Sequence, residues 1–62
     1  MLTAQETKMA QKSLSEERAA IEAYTNRLKK TGNKRLRAAF RHALPEEKTH
    51  AHLFRESLKE KR

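Results

Sequence analysis

Apolar side chains recur along the first half of this chain with an alternating four–three spacing: Ala10, Leu14, Ile21, Tyr24 and Leu28, with Glu17 holding the one remaining place in the series. The second half repeats the rhythm through Leu36, Phe40, Ala43 and Phe54, and here Glu47 and His50 hold the interior places. Such spacing is the seam of a helix that packs against other helices. Ala20, Leu44, Leu53 and Leu58 flank the two stripes and widen them, leaving the opposite faces to Lys, Arg and Glu.

The rest of the pattern agrees with helix. Helix formers dominate, with a single Ile and no Val. The one glycine, Gly32 in "KKTGNK", follows a lysine-rich turn, a typical helix stop. The spacing predicts one domain over 1–62: helix 1 over about 3–30, a turn at 31–33, and helix 2 over about 34–60. The first helix has two candidate starts, Thr3 and the "SLSEE" segment at Ser13, and one long helix is the expectation. Pro45 falls inside the second helix. It removes a hydrogen bond to the Arg41 carbonyl, and a continuous helix with a kink is expected there.

Folding the chain back at Gly32 adds a second regularity. Both helices rise ~1.5 Å per residue, so position i comes level with position 64 − i. Leu28 meets Leu36, Tyr24 meets Phe40, Ile21 meets Ala43, and Glu17 meets Glu47, with His50 about one turn farther from the loop. Two facing carboxylates in an apolar seam are unfavourable, because burial and like charge both oppose ionisation. Shared protons, a reaching Arg or Lys, or a metal cation would relieve them. Glu47 and His50, three apart on one helical face, reach a common point.

Size sharpens the question. Sixty-two residues, 35% of them apolar, bury too little surface to be comfortable alone, so oligomerisation or a metal is expected to supply the balance. Without cysteine there is no disulfide or thiolate metal site. No apolar run spans a bilayer and the N-terminus lacks the core of a secretory signal, so a cytoplasmic protein without membrane contact is expected. The formal charge is +7 and densest in "KKTGNKRLR". That density admits a nucleic acid or acidic protein partner at the loop, and gives the alternative reading: a basic helical-hairpin binding module with no metal. No aromatic side chain interrupts that run to stack on bases.

"EERAAIEAY" (residues 16–24) and "EEKTHA" (residues 46–51) resemble the two signature segments of the ferritin-like, rubrerythrin-like superfamily, Glu-x-x-Ala-Ile-x-x-Tyr and Glu-Glu-x-x-His. Glu17, Ala20, Ile21 and Tyr24 match the first, and Glu46, Glu47 and His50 the second. Di-iron bundles take one Glu from each of two helices and Glu-x-x-His from each of the other two. This chain offers half of that set, and in this it is similar to encapsulated ferritin-like proteins, which build the site across a dimer of two-helix chains. The resemblance implies an all-α fold, an antiparallel two-helix hairpin dimerising into a ferritin-like four-helix bundle. It implies a homo-oligomer sharing two Fe ions per dimer, with Mn or Zn as other suitable metals, ligated by Glu17, Glu47 and His50, with Tyr24 behind them. Fe²⁺ oxidation with O₂ or peroxide, carried by the same three residues, is the chemistry it implies. The rubredoxin-type cysteines of rubrerythrins are absent, and "SLKEKR" carries no recognisable shell-targeting peptide. His42 and His52 fall off the seam and are expected at the surface, as are Glu16, Glu22 and Glu46.

Overall fold

A computed structural model describes residues 1–60. It is a helical hairpin with two elements, α1 (Ala4–Lys30) and α2 (Lys34–Leu58), packed side by side along a rod of 46 × 14 × 11 Å. Lys59 and Glu60 form a turn beyond α2, so the second helix stops two residues short of the expected end. None of the described helices is long and apolar enough to cross a membrane.

The start of α1 is settled by chemistry at Thr3. Its hydroxyl accepts from the Glu6 backbone N–H at 3.0 Å, and the Glu6 carboxylate accepts from the Thr3 N–H at 3.0 Å. This reciprocal capping box satisfies two otherwise orphaned donors, and its signature, Thr-x-x-Glu, is legible in the sequence. Ser13 lies inside the helix.

The turn is built without a left-handed residue. Thr31 goes extended (φ −107°, ψ 137°) and no glycine has positive φ. The C-terminus of α1 is closed instead from across the turn. Arg37 Nη1 donates to the Leu28 carbonyl at 2.7 Å and to the Thr31 carbonyl at 3.0 Å. A cation against the negative end of a helix dipole is favourable, and here it satisfies carbonyls the helix cannot. Asn33 caps α2, accepting from the Leu36 N–H at 2.9 Å. Pro45 sits exposed within α2, which runs on through it. The Pro45 carbonyl accepts from the Thr49 hydroxyl at 2.9 Å.

The seam of α1 follows the expected series and extends it to Thr7, whose hydroxyl donates to the Thr3 carbonyl at 2.9 Å and so tolerates burial. The seam of α2 holds at Phe40, Ala43, Glu47 and Phe54 and shifts at two expected places, from Leu36 to Arg37 and from His50 to Ala51. Its covered positions are Arg37, Phe40, Ala43, Leu44, Glu47, Ala51, Phe54, Ser57 and Leu58. Leu36 is 45% exposed, Leu53 56%, and His50 is exposed, whereas Ala51 is the most buried of the described residues. Choosing between the neighbours 36 and 37 or 50 and 51 by spacing alone misplaces the stripe there, because Arg37 is needed inward as a cap and small Ala51 admits close approach of the helices. The axial register is as expected: the Tyr24 and Phe40 rings pack with centroids 5.7 Å apart.

What this hairpin lacks is a core. Among the described residues only Ala10, Leu14, Ala51 and Thr7 are buried, and no large side chain is fully enclosed. The chain exposes 5041 Å². A compact monomer of 7.3 kDa would expose about 4,200 Å².

Candidate metal centre

Glu17 projects from the middle of α1 and Glu47 from α2, both half-buried on their seams. His50, one turn beyond Glu47, stands at the edge of the helix–helix contact. Its Nδ1 lies 3.7 Å from Glu17 Oε2 and 3.5 Å from Glu47 Oε1. The three residues each offer a ligand atom within 4.8 Å of the others, from two different helices. The residues singled out by spacing are thus brought together by the fold.

The cluster is not self-sufficient. Glu17 Oε2 is shielded from solvent and has no hydrogen-bond partner. Burial, and next the Glu17 carboxyl beside it, hold the Glu47 pKa above the usual carboxylate range; His50 pulls the other way without cancelling the effect. A buried carboxylate oxygen with no donor is costly, and acceptors gathered from two helices with no Lys or Arg among them call for a cation. Among the described residues no Lys or Arg forms an ion pair with either acid. Two hard carboxylates and an imidazole suit iron, manganese or zinc. The residues present therefore fit a bound metal ion.

One side of the cluster opens into a groove of about 340 Å³ lined by Glu17, His50, Leu53, Phe54 and Ser57. Leu36, Ala43, His50 and Ser57 recur at seven-residue intervals along the same edge of α2. This edge, half-buried at Ala43 and Ser57 and exposed at Leu36 and His50, borders the contact with α1 and runs past the metal candidates.

Tyr24 is engaged elsewhere, two turns toward the loop. Its ring packs on Phe40, with the Arg27 guanidinium 5.8 Å from its centroid. His42, His52, Glu16, Glu22 and Glu46 are all exposed, as their off-seam positions require. Sequence reasoning missed two contributors to the surroundings. Ser57 was marked by its heptad relation to His50, and Ala51 by its place four residues after Glu47.

Compared with known families, the chain matches the model of the EncFtn-like family over residues 2–62. No curated protein and no solved structure matches it.

Proposed function

Because this chain belongs to the EncFtn-like family, we propose that two copies pair into a four-helix bundle and hold a di-iron centre between them, ligated by Glu17, Glu47 and His50 of each copy. The observation that carries this reading is the shielded, partnerless Glu17 Oε2, within ligand distance of a second carboxylate and an imidazole. One hairpin provides three donors, too few to complete a metal's coordination, and leaves His50 51% exposed at the groove. A second copy laid on the Leu36–Ala43–His50–Ser57 stripe supplies the missing donors and covers the apolar groove. The pairing also accounts for the surface excess, because a standard interface hides about 800 Å² per partner, close to the difference between this rod and a compact monomer.

Bound there, iron supplies one-electron redox chemistry toward O₂ or peroxide. The chain's own residues set the conditions. Glu17 and Glu47 bring negative charge that favours the higher oxidation state. His50 binds as the neutral imidazole. Half-buried Phe54 shields one flank from bulk water. With Fe²⁺ as substrate, each ion gives up one electron to the oxidant, and the protein acts in iron oxidation and handling.

Native mass spectrometry with and without Fe²⁺ tests the reading. The expected result is an even number of subunits carrying two irons per pair. A monomer that takes up no iron would overturn it.

A further inference from the structure

Between Glu22 and Glu46 the chain contains no acidic residue, while Arg27, Lys29, Lys30, Lys34, Arg35, Arg37 and Arg41 all fall there. The remaining sequence balances, with eight basic and eight acidic residues. The entire formal charge of +7 is therefore gathered at one end of a 46 Å rod.

This gathering is not explained by the fold. The first turn of α2 contains no acid, and basic side chains occupy it instead, against the preference set by the helix dipole. Arg37 is used internally, on the carbonyls of Leu28 and Thr31, and Arg27 lies against the Tyr24 ring. Arg27, Lys29, Lys30, Lys34, Arg35 and Arg41 are exposed. Among the described residues none of these six forms an ion pair. The metal candidates gain nothing from them either, since a cationic end repels an incoming metal ion.

We propose that the loop end is a second functional surface, separate from the metal cluster, which grips the phosphate backbone of double-helical nucleic acid. Three features select this partner. A protein interface is anchored by buried aromatic or large apolar side chains, but at this end the two aromatic rings are stacked on each other and only Leu36 is an exposed large apolar residue. Single strands are held by base stacking on aromatic side chains, and the loop end offers none outside that Tyr24–Phe40 pair. What remains is charge alone, on a scale that fits: Lys34 to Arg41 advances ~10 Å along the helix axis. A duplex presents about six phosphates over that distance. Binding of this kind is independent of sequence and steeply dependent on salt.

The test uses the full chain and a fluorescently labelled mixed-sequence DNA duplex, followed by anisotropy across a salt series. The expected dissociation constant is roughly micromolar, weakening as salt rises with a log–log slope of about −0.9 per phosphate contacted. Lys34→Glu/Arg35→Glu should weaken binding by about tenfold or more and make the slope shallower by about two contacts' worth. It places acids where the helix dipole favours them, so lost binding is not lost folding. Lys8→Glu/Lys12→Glu makes the same charge change at the other end of the rod and should retain the wild-type slope. Equal losses in the two variants, poly-glutamate binding as tightly as the duplex, or no duplex binding at low salt would each overturn the proposal. Iron uptake by both variants, measured in parallel, should be unchanged, and this separates failure of this surface from failure of the metal centre.

Discussion

Glu17 Oε2 lies 3.7 Å from His50 Nδ1 and accepts no hydrogen bond from it or from any other described group. The two residues sit on different helices, at a separation too long for a hydrogen bond and short enough to share a metal ion. The hairpin holds them in proximity without satisfying them, a conflict that a bound cation would resolve.

From this conflict follows a pair of opposite effects at one position. Glu17→Gln removes one of two facing negative charges, so the metal-free protein should melt a few degrees higher. The same change should abolish the stabilisation that Fe²⁺ gives to the wild type, because a neutral amide is a poor ligand. Differential scanning fluorimetry with and without Fe²⁺ under argon reads both. A purely structural role for Glu17 would show a single Tm change, indifferent to iron.

The pH dependence of the metal-free protein should show Glu47. Its carboxyl binds a proton more tightly in the fold than in the unfolded chain, chiefly because of burial and then because Glu17 is beside it. A raised carboxyl pKa contributes stability that is complete below the unfolded value and is lost as pH climbs through the folded value. Glu6 and Glu56 slope the other way. The Thr3 hydrogen bonds lower the Glu6 pKa, and the Lys59 contact lowers that of Glu56, so both lose stability as pH falls. Comparing wild type with Glu47→Gln isolates the Glu47 term: urea midpoints should converge at acidic pH and separate in favour of the variant toward neutrality. Parallel curves would mean that Glu47 is not perturbed.

Arg37 joins the helices through two carbonyls rather than through a carboxylate. Arg37→Met keeps the aliphatic stem on the seam but uncovers the end of α1, at a cost of about 1–3 kcal/mol in urea unfolding. Arg37→Lys should recover only part of this, since the shorter side chain must carry its ammonium to the place from which Nη1 alone serves both oxygens. If Lys restored full stability, the contribution would be one of charge alone.

Gly32 offers the reverse outcome. It has no positive φ, and a Cβ added there meets nothing within 4 Å. Gly32→Ala should stabilise the hairpin by about 0.4–1 kcal/mol by reducing the freedom of the unfolded chain. A denaturation midpoint that falls instead would place Gly32 in a left-handed conformation in solution.

Much of this molecule is written in its sequence because helices are local. The 3.6-residue period, the Gly32 punctuation and the equal rise per residue were enough to fix two helices, their antiparallel arrangement and their axial register. They therefore also determined that Tyr24 meets Phe40 and that Glu17, Glu47 and His50 share one neighbourhood. Rotation about each helix axis is another matter, since it is chosen by side chains from the facing helix. Only the tertiary structure showed that Arg37 turns inward to close α1, that Ala51 takes the tightest point of contact, and that His50 and Leu53 are left on an open edge. The same holds for the electrostatics. The charges of Glu17 and Glu47 are plain in the sequence, but their desolvation, and the one oxygen left without a donor, exist only once two helices are pressed together.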